Sequence, residues 1–144
     1  MKNFQVLPHT ADLRLKVLGR TKKELFRNAV IGMFQSAYPR ADKCWRLKNR
    51  LICAAIPQKH KIKIKSNDIG SLLVDFLSEA LYFSDIKNEA YLDAKINKLS
   101  DTFLEAEIRG VKITGFKIEL KAVTYHELNI KKNKYWETII IFDI

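Results

Sequence analysis

The chain has 144 residues, 47% of them apolar, enough to bury one sizeable core without metal or disulfide staples. Lysine and arginine outnumber the acids 26 to 16, and the formal charge of +10 favours anionic partners such as RNA. No apolar run approaches the ~20 residues of a membrane helix, and Met1–Gln5 carry no long apolar signal stretch, so no membrane partner and a cytoplasmic location are expected.

Taken from the start, Leu13, Leu15 and Val17 alternate with Asp12, Arg14 and Lys16, the period of a half-buried strand. Gly19-Arg20 makes a turn. Thr21 with Glu24 three residues on fits a capping box, and Leu25, Phe26, Ala29, Val30 and Met33 follow at helical spacing, predicting a helix over about 21–36. Two strand-like stretches come next, about 44–56 and 59–66, parted by Pro57-Gln58. Cys44 and Cys53 form no Cys-x-x-Cys pair and lack a nearby histidine pair, so free thiols are expected rather than zinc or a disulfide.

Asn67-Asp68 then caps the clearest helix, where Ile69, Leu72, Leu73, Phe76, Leu77, Ala80 and Leu81 form one apolar stripe. Beyond residue 90 the alternation returns through Leu92–Leu99, Thr102–Arg109 and Phe116–Leu120, with Gly110 and Gly115 as punctuation. Thr124–Lys131 and Tyr135–Ile144 flank Lys132-Asn133-Lys134 and read as a hairpin. The three prolines fall between periodic segments and no linker divides the chain. The expectation is a single α+β domain over 1–144, with two helices packed on a mixed, largely antiparallel β-sheet.

Familiar catalytic motifs are absent. There is no Gly-x-x-x-x-Gly-Lys, Gly-x-Gly-x-x-Gly, Gly-x-Ser-x-Gly or His-Glu-x-x-His. Four features remain. Pro8-His9-Thr10-Ala11-Asp12 stands ahead of the first alternating strand, and its ordinary reading is a hydrogen-bonded turn. At the other end, the β-forming run Trp136–Phe142 leads to Asp143-Ile144, which places a carboxylate side chain beside an α-carboxylate. Hard cations such as Ca²⁺ take such oxygens, and the alternative is a frayed end. His126, if Thr124–Lys131 is a strand, shares a face with Leu128 and Ile130 and reads as a core histidine before a ligand or base. Lys59, Lys61, Lys63 and Lys65 share one strand parity, a positive stripe that can meet phosphates. Edge strands carry lysine for protection too, and no aromatic residue interleaves with these four.

These segments, in order, resemble the archease family along essentially the whole chain. The resemblance rests on His9-Thr10-Ala11-Asp12, on Gly19-Arg20-Thr21 with the following helix, and on Leu72–Glu79. It is carried most specifically by Lys121-Ala122-Val123-Thr124-Tyr125-His126-Glu127-Leu128, then Trp136 and the closing Ile141-Phe142-Asp143-Ile144. Phe76 and Ser78 depart from the family's Trp and Asn. Phe keeps the bulk, whereas Ser78 loses any bond the amide made. The segment from Ser36 to Arg50 is divergent as well.

The resemblance implies an accessory protein of an RtcB-type RNA ligase, one that promotes guanylylation of the ligase and multiple turnover in tRNA splicing and RNA repair. It implies a bound divalent cation, usually calcium, held by Asp12, Asp143 and Ile144, with His9 and His126 as possible neighbours. RNA would be met through the ligase complex, with the Lys59–Lys65 stripe as a possible direct contact. Two other classes stay open: a small metal-dependent nucleotide hydrolase using Asp12, Asp143 and His126, and an RNA-binding module using the stripe.

Overall fold

The computed structural model describes residues 2–7, 11–126 and 128–144. The chain forms, in order, β1 (Phe4–Leu7), β2 (Leu13–Gly19), α1 (Lys22–Ser36), β3 (Pro39–Arg40), β4 (Cys44–Leu47), β5 (Arg50–Cys53) and β6 (Gln58–Lys65). There follow α2 (Ile69–Lys87), β7 (Glu89–Leu99), β8 (Phe103–Lys112), β9 (Gly115–Phe116), β10 (Ala122–Val123), β11 (Lys131–Lys132) and β12 (Trp136–Asp143). The expected two helices on largely antiparallel β-structure are what the chain builds. The strands divide into a five-stranded sheet ordered β1-β2-β12-β10 with β11 on β12, a three-stranded sheet β6-β8-β7, and two small ribbons, β3-β9 and β4-β5.

Both helices begin where the caps place them. The Thr21 side chain accepts from the Glu24 N–H at 3.1 Å, while Glu24 reaches back to the N–H of Arg20 rather than of the cap itself. Asp68 accepts from the Ser71 N–H at 2.8 Å, and this bond holds its carboxyl below the ordinary value. At the far end of α2, Asn88 takes the left-handed conformation that releases the chain into β7.

α1 lies against β2 of the larger sheet and β7 of the smaller one, and α2 covers β6, β7 and β8 and touches β10. The core between them is continuous. Leu15, Val17, Phe26, Met33, Leu72, Leu73 and Phe76 are fully enclosed, and Phe26 stacks on Phe76 at 6.2 Å between ring centres. Burying one such side chain stabilises by about 1.5–3 kcal/mol, so Phe76 supplies apolar bulk at the contact between the two helices. Ser78 points to solvent.

Three expectations are corrected. The stretch 44–56 is no single strand: Lys48 and Asn49 both adopt left-handed backbone, φ 51° and 66°, the two-residue turn that matches strand twist, and fold the segment into the β4–β5 hairpin. That fold sets Cys44 directly opposite Cys53, 4.3 Å apart at Cα, and the two form a disulfide in place of the expected free thiols. The third correction concerns Thr124–Lys131. Its alternation is present, yet among the described residues of this stretch only Lys131–Lys132 form a strand on β12, and residues 124–126 and 128–130 are irregular. The Leu128 Cδ2 stands 3.3 Å from where a Cβ on Gly70 would be, so its half-buried side chain packs against the start of α2 instead of along a ladder.

Candidate functional site

Strand register brings the two ends of the sequence together. β12 pairs antiparallel with β2 from Trp136↔Gly19 to Phe142↔Leu13. Asp143 and Asp12 are the residues that follow and precede that last pair on the two neighbouring strands, whose backbones run about 4.8 Å apart where they pair. On the opposite flank Ala122 of β10 pairs with Asp143, and the Lys121 N–H donates to the Asp143 carbonyl at 2.8 Å. The Thr124 N–H donates to the Ile141 carbonyl at 3.0 Å, which fixes the start of the following loop on the same strand. Asp12 is half-buried, and Asp143 and Ile144 are exposed.

The loop after β10 carries the other polar groups of this edge. The Tyr125 hydroxyl donates to Asp75 Oδ1 at 3.2 Å, and the Ser66 hydroxyl donates to Asp75 Oδ2 at 2.6 Å. Desolvation, then the Asp75 carboxylate, raise the Tyr125 phenol above its ordinary value. His126 stands in an exposed turn, its N–H directed to Thr124 Oγ1 at 3.3 Å. The reading of His126 as a core histidine beside Leu128 and Ile130 is therefore overturned, because the loop has no strand parity to impose it. His9, the other candidate neighbour, lies outside the described residues.

The lysine stripe belongs to a different place. Lys59, Lys61, Lys63 and Lys65 all face solvent on β6, an edge strand that pairs only with β8. Opposite them β8 presents Arg109, Glu107 and Glu105. Lys63 reaches Glu105 at 3.3 Å and Lys98 of β7 reaches it at 3.6 Å. The Lys63 bond holds the Glu105 carboxyl below its ordinary value, and the Arg109 bond does the same for Glu107. Part of the stripe's charge is thus answered within its own sheet.

Sequence reasoning missed a second polar cluster. The Glu89 side chain is 1% exposed. It meets His60 Nε2 at 2.6 Å, the Tyr91 hydroxyl at 2.8 Å and Lys112 Nζ at 3.2 Å. An ionised carboxylate only accepts hydrogen bonds, so His60 carries its proton on Nε2. The His60 ring also stacks on Phe83, 4.9 Å between centres and 6° from parallel. The available signal was parity: His60 alternates with Lys59 and Lys61 and so shares the buried side of β6 with Ile62 and Ile64.

Among the described residues no group of three or more His, Cys, Asp or Glu side chains could hold a metal ion. The two carboxylates Asp12 and Asp143 fall below that count, and a cation there would need further oxygen ligands. Carboxylate oxygens are hard donors of the kind calcium takes.

The model of the Archease protein family (MTH1598/TM1083) matches residues 4–144. The chain belongs to the archease family. The protein archease of Methanosarcina barkeri is 30% identical over 99% of this chain and 97% of its own length. That of Pyrococcus abyssi is 28% identical over the whole of both. The solution structure of Methanobacterium thermoautotrophicum protein 1598 superposes with a TM-score of 0.69 at 26% identity, covering all of both chains. A crystal structure described as an archease, possible chaperone, from Thermotoga maritima has a TM-score of 0.60 over 96% of this chain and 94% of its own. At 18% identity that likeness speaks to the archease fold alone.

Proposed function

We propose that this archease is a non-catalytic activator of an RtcB-type RNA ligase, promoting its guanylylation and repeated turnover in tRNA splicing and RNA repair. Membership of the archease family across residues 4–144 is the observation that carries this reading. No helix among the described residues is long and apolar enough to cross a membrane, and action in the cytoplasm is part of the same proposal. RNA is met through the ligase complex, with the Lys59–Lys65 stripe as a candidate contact.

The proposed cation site is Asp12, Asp143 and the carboxylate of Ile144, with calcium or another divalent cation as its occupant. When bound, the cation would screen the carboxylates and fix the geometry of this edge against the ligase. The chain's own residues do the positioning. The β2–β12 pairing up to Leu13 and Phe142 supports an approach of Asp12 to Asp143, and β10 pairs with Asp143 on the other side. Lys121, next in line, offers an ammonium to an anionic partner group.

The deciding experiment mixes the protein with its ligase, GTP, a divalent metal and cleaved RNA. The expected result is product well beyond one equivalent of ligase, with no ligation and no nucleotide turnover by the protein alone. Product fixed at one turnover with or without the protein would sink the proposal, and nucleotide turnover by the protein alone would favour the hydrolase reading.

The metal site has its own test. Asp143→Asn removes a charge at constant shape, and a C-terminal extension converts the Ile144 carboxylate into a neutral amide carbonyl. Calcium affinity follows the number and charge of the oxygens, so each change should weaken calorimetric calcium binding about tenfold or more while an N-terminal extension is tolerated. Equal affinity in all forms would reduce this edge to an ordinary strand end.

A further inference from the structure

The segment from Arg40 to Arg50 carries five basic residues, Arg40, Lys43, Arg46, Lys48 and Arg50, against one acid, Asp42. The β4–β5 hairpin projects this charge outward. Between its tip and the N-terminal strand β1 runs an open cleft of about 480 Å³, lined by Lys2, Phe4, Tyr38, Lys48 and Arg50 among others and, among the described residues, by no carboxylate. The volume lies within the ~300–1,000 Å³ of ligand pockets.

Aromatic rings alternate with the cations here, as they do not on β6. The Arg50 guanidinium lies 5.4 Å over the Phe4 ring, and Tyr38 takes the Arg46 guanidinium and the Lys117 ammonium at 5.6 Å each. Strand parity places Trp45 and Leu47 on the same hairpin face as Arg50 and Ile52. Trp45 is 53% exposed, a large apolar surface left in water.

Tyr38 adds an independent sign. It directly follows the cap of α1 with φ 53°, a left-handed position where glycine is favoured and a bulky side chain is strained. Strain of this kind is retained where the side chain has work to do. Here it delivers the ring to the cleft wall.

We propose that the cleft between β1 and the β4–β5 hairpin, with the exposed Trp45, binds a single-stranded nucleic acid. Lys2, Lys48 and Arg50 meet the phosphates, Phe4 and Tyr38 hold the cations in place, and the exposed Trp45 offers a face for a base to stack on. A positive groove with aromatic platforms is what sequence-tolerant single-strand binding requires. The inference is independent of the ligase reading, because it concerns the isolated protein.

The test is fluorescence anisotropy of a labelled 12-nucleotide single-stranded RNA, and of the matching DNA, titrated with the full chain over a range of salt. Lys48→Gln with Arg50→Gln removes two phosphate contacts from an exposed turn, and the salt slope should fall by about 1.4. Trp45→Ala should weaken binding at least about tenfold, and Trp45→Phe, which keeps a stacking face, should recover most of it. Tyr38→Gly relieves the left-handed strain, so it should melt no lower than the parent yet bind less tightly. Equal loss with RNA and DNA assigns the site to phosphates and bases, and loss with RNA alone adds the 2′-hydroxyl. Unchanged affinity in the hairpin variants, or loss confined to a variant with Lys59, Lys61, Lys63 and Lys65 all changed to Gln, would overturn the proposal.

Discussion

Gly110→Ala should lower the stability of this archease by about 3 kcal/mol or more, the upper range for overpacking. Gly110 lies on β8 opposite Tyr91, where the β7 register shifts between Tyr91 and Asp93. That irregularity bends the β7 backbone towards β8. A Cβ on Gly110 would stand 1.9 Å from the Ala90 carbonyl oxygen and 2.8 Å from its carbon. Neither atom belongs to a flexible side chain, so the strand itself must shift, and with it the Glu89–Tyr91 cluster. For a chain of this size the loss corresponds to a fall in Tm of roughly 6–12 °C.

Gly70→Ala is the matched comparison. Its Cβ would meet only the Leu128 Cδ2 at 3.3 Å and Asp68 Oδ1 at 3.4 Å, both ends of side chains. Alanine is also favoured over glycine within a helix by about 1 kcal/mol. Thermal melting should therefore leave Gly70→Ala close to the parent and place Gly110→Ala far below it. Two variants melting together would mean that β7 yields more readily than its packing implies.

Much of this architecture was legible because local and tertiary preferences agree. Alternation from Leu13 to Val17 and the apolar stripe of α2 each match the face that the core requires, and Thr21 and Asp68 cap the helices that follow them. Where the two levels part, the sequence misled. Thr124–Lys131 has the period of a strand, but β12 is already paired with β2 over Trp136–Phe142 and with short β10 and β11 elsewhere. Its apolar residues found a helix instead, and strand propensity yielded to packing. Phe4–Leu7 is too short to show a period at all. The cysteine bridge depended on a turn at Lys48-Asn49, whose left-handed residues lack the glycine that would have announced it.

The candidate site was half legible for a related reason. Chemistry singled out Asp143 beside the α-carboxylate, while Asp12, 131 positions earlier, read as a turn residue, and only the β2–β12 pairing brings their strands side by side. The resemblance to archeases supplied the pairing that spacing could not. For Glu89 no such help existed. A single acid at a helix–strand junction reads as solvent-exposed, and its burial follows from the meeting of β6, β7, β8 and α2.

Glu89→Gln should cost about 1–3 kcal/mol at neutral pH, the range for leaving a buried hydrogen-bonding group unsatisfied. His60 Nε2–H and the Tyr91 hydroxyl share Oε1 while Lys112 Nζ takes Oε2, so the amide, with one oxygen, must turn its NH2 on at least one of these donors. Acid should then erase much of the difference. Burial pushes the Glu89 carboxyl up, but the bonds from His60, Tyr91 and Lys112 outweigh it and hold the group below its ordinary 4.5. A carboxyl lowered by folding binds its proton more readily in the unfolded chain, so its contribution is complete above about pH 4.5. That contribution is lost as the pH falls through the folded value. Urea unfolding of parent and variant from pH 7 to pH 3 should show two curves converging below pH 4.5, with the parent doing most of the falling. A gap that stays constant to pH 3 would mean that the stability comes from the shape of the Glu89 side chain and not from its charge.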